Sequence, residues 1–153
     1  MYSPTYGKVS YDRMIEIIKD FIKKSPHSNY KISVGTDTQN FDYTKTVIVV
    51  AIHREGSGGI FFYDIKRVNK ITNINQKLLY ETENSINLAT KLSKTLEEEA
   101  INLGINIHVD AGNNGKSAKI IPEIVGWIKA CGFNCEIKPD SYAASSIANK
   151  YSK

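Results

Sequence analysis

Cysteine is scarce in this 153-residue chain, which holds only Cys131 and Cys135. No second cysteine–histidine pair is placed to complete a zinc site, and one pair is too few for a disulfide framework. Both read as buried thiols used as small apolar groups, Cys131 closing a helix and Cys135 on the strand after it. No apolar run is long enough for a signal peptide or a membrane span, so the expectation is a cytoplasmic protein with reduced thiols and no membrane partner. Internal repeats and low-complexity tracts are absent as well. Lysine and arginine (20) barely outnumber aspartate and glutamate (16), and the resulting +4 permits an anionic partner without demanding one. The 41% apolar content suits one core. Residues 1–153 are expected to form a single domain, with 1–29 as an N-terminal helical extension and 30–153 as its core.

Ser10 can cap a helix whose apolar positions Met14, Ile17, Ile18, Phe21 and Ile22 share one face, and Ser25 and Pro26 stop it. Segments 30–37, 46–53 and 60–68 are dominated by β-branched and aromatic residues and joined by short turns, which predicts an antiparallel meander. The second turn, E-G-S-G-G at 55–59, is rich in the residue that accepts positive φ. Residues 74–103 switch to helical spacing through Leu78, Ser85, Ala89, Leu92 and Leu96, with Gly104 as the expected C′ residue. Then follow a strand at 105–110, a helix at 117–131, a strand at 133–138 stopped by Pro139, and a closing helix at 141–151 with a small-residue face at Ala143, Ala144, Ile147 and Ala148. Strand-helix-strand units require parallel pairing with right-handed crossovers. The expected fold class is therefore α/β, a mixed five-stranded sheet of three antiparallel strands then two parallel ones, with helices on both faces and an extra N-terminal helix.

Three of these strand-like runs end on an aspartate: K-I-S-V-G-T-D at Asp37, I-N-I-H-V-D at Asp110 and F-N-C-E-I-K-P-D at Asp140. A carboxylate at the end of a buried strand is costly to desolvate unless something positive sits beside it. In α/β sheets the sites lie where loops diverge outside the carboxyl ends of the strands. Three such ends suggest one shared acidic site, and its natural occupant is a divalent cation. The intervening helix supplies a fourth carboxylate. Glu81 projects with Leu78 and Ser85 toward the sheet, and Glu83, on the neighbouring stripe, is the alternative. The triplet Glu97, Glu98 and Glu99 reads as solvated surface. Ser33, Gly35 and Asp37 share one side of their strand, so Gly35 leaves room beside Asp37 for a ligand. Thr38 and Gln39 add oxygen and amide groups for a metal-bound water or a phosphate.

Other features weigh less. Any one of the aspartates alone could be a turn former, and Asp140 before Ser141 could be a helix cap. The segment G-N-N-G-K-S at 112–117 lacks the spacing of a phosphate loop and follows a carboxylate, yet Asn113 and Lys116 could contact a substrate phosphate beside Asp110. His108 reads as a hydrogen-bonded core residue more readily than as a proton shuttle. Trp127 reads as core, while Tyr142 is a candidate for stacking on a nucleobase. Lys66, Arg67, Lys70 and Lys77 cluster where a backbone-tracking groove could begin.

The order of elements resembles the ribonuclease H fold, and Asp37, Glu81, Asp110 and Asp140 fall at the positions of its acidic tetrad. More narrowly, S-V-G-T-D-T-Q, H-V-D-A-G-N-N-G-K-S, E-I-V-G-W-I-K-A-C-G-F and K-P-D-S-Y-A-A-S-S-I-A-N-K resemble the small bacterial YkuK-like family over about residues 30–153. The resemblance implies two-metal hydrolysis of a phosphodiester with two Mg²⁺ or Mn²⁺ ions, Asp37 bridging, Asp110 and Glu81 completing one ion and Asp140 the other. It implies a nucleic-acid partner: RNA, an RNA–DNA hybrid or structured DNA. Oxygen-only ligands suit those ions. The alternative is a non-catalytic nucleic-acid or protein interaction module that retains the fold. An ATP-handling member of the wider fold group would need paired domains, for which the chain is too short.

Overall fold

The computed structural model describes residues 1–153 throughout. The Ser10 hydroxyl accepts the Arg13 amide at 3.0 Å and opens helix α1 (Tyr11–Lys23), whose buried Met14, Ile15, Ile17 and Ile18 lie on one face. The meander forms as β3 (Tyr30–Asn40), β4 (Thr44–Arg54) and β5 (Gly59–Val68), and Gly56 and Gly58 take positive φ in the second turn. Then come helix α2 (Ile74–Glu98), strand β6 (Ile105–His108), helix α3 (Ile121–Ala130) and strand β7 (Asn134–Glu136). A π-helical stretch (Ala143–Ala148) runs into α4 (Asn149–Ser152), and together they make the closing helix.

The sheet has seven strands rather than the expected five, because β1 (Tyr2–Ser3) and β2 (Gly7–Lys8) add to the outer edge in the order β2-β1-β5-β4-β3-β6-β7. Only the β3–β6 and β6–β7 pairs are parallel. Two-residue strands carry no periodicity for a sequence reading to detect. They form where Tyr2 can pair with Tyr63 of β5.

Three boundaries move for physical reasons. Helix α2 ends at Glu98, not near Leu103, and the left-handed residue is Ala100 (φ 58) rather than Gly104. The Ala100 and Ile101 amides donate back to Glu97 and Leu96 carbonyls at 3.1 and 2.8 Å. This double closure lets Ile101 pack on the core beside Leu96, which offsets the strain of a left-handed alanine. Strand β7 is shorter than 133–138 because β6 offers only three partners to it. Strand β3 is longer, since T-D-T-Q-N continues an eleven-rung ladder with β4.

The core lies almost wholly on one face. A cluster of 23 buried residues joins α1, α2 and α3 to Ile32, Val34, Val50, Ile52, Phe62 and Ile107. The other face holds a small cluster of Val47, Val49 and Ala51 under Ala148 of the closing helix. Trp127 is not core, because it stands on the outer side of α3 and is 36% exposed. Nor are both thiols buried: Cys131 is exposed at the end of α3, and Cys135 is partly covered. No helix is long and apolar enough to cross a membrane.

Candidate active site

Asp37 is not the last residue of its strand but lies where β3 loses its parallel neighbour. The pairing with β6 runs from Ile32–Ile105 to Gly35–His108 and stops. Two residues further along each chain stand Asp37 and Asp110, on the same side by alternation. Equal register beyond the last rung brings the two carboxyl groups within hydrogen-bond reach of each other. Asp37 is 6% exposed, and its Oδ2 accepts the Ser152 hydroxyl at 2.7 Å. Asp110 meets Lys138 Nζ at 3.1 Å and lies within reach of the Ser145 hydroxyl.

Glu81 arrives from the opposite face of the sheet. Helix α2 buries Leu78, Glu81, Thr82 and Ser85 against β3, while Glu83 points to solvent. The Thr38 hydroxyl donates to Glu81 Oε2 at 2.7 Å, and Thr36 Oγ1 pairs with Ser85 Oγ at 2.7 Å. Burial pushes the Glu81 carboxyl up to about 8, with the negative charge of Asp37 adding to it. Burial likewise raises Asp37 to about 7, and Asp110 reinforces the shift while Ser152 opposes it. Asp110 goes the other way. Burial would raise it, but hydrogen bonds from Asp37, Lys138 and Ser145 outweigh that and hold it below the usual carboxylate range. Burial therefore favours the protonated forms of Asp37 and Glu81, while the hydrogen bonds to Asp110 favour its ionised form.

A cavity of about 270 Å³ opens onto this point, lined by Asp37, Gln39, Lys77, Glu81, Asp110 and Asn149 among others. A second of about 480 Å³ adjoins it through Asp110, Ile74 and Ser117 and is walled by the 111–117 loop, with Asn113 and Lys116, and by Lys138. The donors are all oxygen and repel one another, which fits a hard divalent cation in chemistry. No three histidine, cysteine, aspartate or glutamate side chains stand at the spacing of ligands to one ion. Ser152 and Thr38 occupy carboxylate oxygens instead.

The residues expected at one site are thus unequally gathered. Asp37, Glu81 and Asp110 converge with Thr38 and Gln39, and Asn113 and Lys116 wall the neighbouring cavity. Asp140 is exposed beyond β7, and the buried group that feels its charge is His108. Tyr142 packs edge-on against His108 at 4.7 Å and is 37% exposed. His108 itself accepts the Ala143 amide on Nδ1 at 3.0 Å, and burial pulls it down to about 4, so it stays neutral and anchors the closing helix. Gly35 does not leave room for a ligand. A Cβ there would stand 2.5 Å from the Ala144 nitrogen, so the space belongs to the closing-helix backbone.

Sequence reasoning missed Ser145, Asn149, Ser152 and Lys138. The first three recur at helical spacing along the edge of the alanine face, Ser152 one turn beyond Ala148, which was a legible signal. Lys138 carried none beyond its place before Pro139.

Residues 13–153 match the sequence profile of the family described as Ribonuclease H-like. The chain belongs to the ribonuclease H-like family. Within it the chain is 32% identical over 165 aligned positions to "Uncharacterized protein YkuK" of Bacillus subtilis (strain 168), covering 99% of this chain and 96% of that protein, which makes it a YkuK-like ribonuclease H-like protein. Among solved structures, the Aquifex aeolicus member of the Ppx/GppA family overlaps 71% of this chain and 35% of its own length, at 14% identity and a TM-score of 0.36. A likeness that slight carries no argument about this ribonuclease H-like chain.

Proposed function

We propose that this protein hydrolyses phosphodiester bonds in nucleic acid with the help of Mg²⁺ or Mn²⁺. The observation that carries the reading is the convergence of Asp37, Glu81 and Asp110, two of them with carboxyls raised well above the ordinary range, at the divergence of β3 and β6. Carboxylates forced together in this way are stabilised by a cation, and uptake would release the protons now held on Asp37 and Glu81. These three residues would hold the ions, with the exposed Asp140 as the fourth ligand. Two divalent cations at such a site lower the pKa of an attacking water and stabilise the departing oxygen.

The chain's own contributions are positional. Thr38 fixes the Glu81 carboxyl group, and hydrogen bonds from Asp37, Lys138 and Ser145 together favour the ionised form of Asp110. Lys77, Lys116 and Asn113 line the two cavities where phosphate oxygens would sit, and Gln39 offers an amide beside Asp37. Tyr142 stays in the proposal as a stacking residue through its exposed ring face.

The test incubates the purified protein with Mn²⁺ and labelled RNA, RNA–DNA hybrid, single-stranded DNA and a branched junction. Hydrolysis that Asp37→Asn abolishes while the variant still melts cooperatively as a folded protein is the expected result, and Asp140→Asn should cost less than Asp37→Asn. Equal rates for wild type and a folded Asp37→Asn variant would overturn the reading. A second reading is favoured by the carboxylate oxygens being tied to Ser152 and Thr38 with no ligand-spaced trio: a non-catalytic module that binds nucleic acid or protein through the same fold. Calorimetry with Mn²⁺ separates the two, since that module takes up no metal through its carboxylates.

A further inference from the structure

The sheet face that carries Asp37 also carries a stripe of tyrosines and cations that the proposed chemistry does not use. Residues opposed across antiparallel strands point to the same side. The register places Asp37, Val47 and Ile65 in one row, and Gln39, Lys45 and Arg67 in the next toward the strand end. On the other side of the Asp37 row stand Gly35, Val49 and Tyr63, and that row continues through Tyr2 to Lys8 at the outer edge.

The closing helix covers the inner strands only. Its Ala148 packs on Val47 and Val49, and its Tyr151 stacks on Tyr63 with centroids 4.0 Å apart and planes 16° apart. Tyr2 extends the ladder at 5.8 Å from Tyr63. Beyond Tyr151 the face is open, with Tyr2 42% and Ile65 43% exposed and Arg67 in solvent. Apart from Asp37 the charged side chains of these rows are cations: Lys8, Lys45, whose ammonium donates to the Lys153 carbonyl at 3.4 Å, and Arg67, whose guanidinium lies over the Tyr43 ring at 4.6 Å, while Lys150 reaches over Tyr151. The acidic residue of β5 nearest them, Asp64, points to the opposite face, where it meets the N-terminal ammonium at 3.2 Å.

From these placements we infer that Tyr2, the Tyr63–Tyr151 stack and the flanking Lys45 and Arg67 form a binding track for single-stranded nucleic acid that leads along the Gln39–Lys45–Arg67 row to the cavity at Asp37. The inference rests on the nuclease reading for what happens at its inner end, and names the substrate class of that site. The exposed Tyr2 ring accepts a base by stacking whatever its identity, the part-buried Tyr63–Tyr151 stack supports it from the inner side, and the interleaved cations take the phosphates. A duplex hides its base faces and cannot use the rings. The geometry has a suitable span, since Tyr63 lies two strands across and two residues along from Asp37, about 10 Å by about 7 Å at ordinary strand spacings.

The experiment measures anisotropy of labelled oligonucleotides of about 12 nucleotides, as single-stranded RNA, single-stranded DNA and duplex, in EDTA so that no hydrolysis can intervene. Single strands should bind more tightly than duplex, and the two single-strand arms decide between RNA and DNA. Tyr63→Ala should weaken single-strand binding on the order of tenfold, while Tyr63→Phe retains it because the ring remains. Arg67→Ala should lower the slope of log affinity against log salt by about one. Tyr2→Ala and Arg67→Ala remove exposed side chains and leave the fold standing, so they decide the matter should Tyr63→Ala unfold. Affinity and salt slope unchanged in Tyr2→Ala and Arg67→Ala, or duplex bound as tightly as single strand, would overturn the track. Track binding by wild type with no hydrolysis in Mn²⁺ would defeat the nuclease reading alone.

Discussion

At the residue scale, the consequences of burying three carboxyls can be measured one at a time. Ser152 donates to a carboxylate that is 6% exposed, so Ser152→Ala leaves a buried acceptor short of a partner and should cost about 1–2 kcal/mol by denaturant titration at pH 8. The Ser152 hydroxyl holds the Asp37 pKa down, so its removal should push that pKa further up, readable by NMR titration. Gly35 makes a different kind of prediction. The Ala143–Ala144 backbone occupies the place of its missing side chain, so Gly35→Ala must displace the closing helix and should lower stability by about 1–3 kcal/mol. A ligand-accommodating glycine would tolerate the methyl group in the unliganded protein.

At the element scale, the closing helix decides how open the site is. Besides the packing of Ala148 on Val47 and Val49 and of the Ala143–Ala144 backbone on Gly35, its side-chain anchors are the amide of Ala143 on His108, Tyr142 against that ring, Ser152 on Asp37 and Tyr151 on Tyr63. Replacing His108 with Phe keeps an aromatic surface for Tyr142 but removes the acceptor for the Ala143 amide. Hydrogen exchange should then quicken at the amides of residues 143–145 while α2 keeps its protection. Equal protection in both elements would mean that the histidine carries no share of the anchoring. The same helix explains why the sequence expectation for Gly35 failed. Alternation along β3 correctly put Gly35 beside Asp37, but alternation names a face and not what covers it.

At the scale of the whole molecule, the carboxyl shifts become a pH dependence. Asp37 and Glu81 are raised in the folded state to about 7 and about 8, above their ordinary values near 4. The folded protein therefore holds protons that the unfolded chain gives up. The stability these groups contribute is full below about pH 4 and is lost as pH rises to about 8. Asp110, held low, works in the opposite sense, its contribution being lost as pH falls. In EDTA, the wild type should lose stability relative to Asp37→Asn/Glu81→Gln as pH rises from 5 to 9, and the difference should vanish toward pH 4. Thermal melts across that range check it. On the proposed function, Mn²⁺ should raise the wild-type melting temperature more at pH 8 than at pH 5, since at pH 5 the cation must displace two protons.

The sequence by itself determined the element order, the α/β class, the three meander strands and the helix face that carries Glu81 with Leu78 and Ser85. Those follow from periodicity and from local chemistry such as the Ser10 cap, which act within a few residues. It also singled out Asp37 and Asp110, because an apolar strand running into a carboxylate is visible in one line of text. Only the tertiary structure decided that the two meet. Their meeting depends on the register of β3 against β6, a pairing between residues about seventy positions apart that no local pattern encodes. Tertiary packing likewise gave β1 and β2 an edge to join, moved the left-handed residue of α2 from Gly104 to Ala100, and left Trp127 outside the core. It also set Asp140 on the surface, because β7 finds only three partners in β6 and the chain turns away before reaching it.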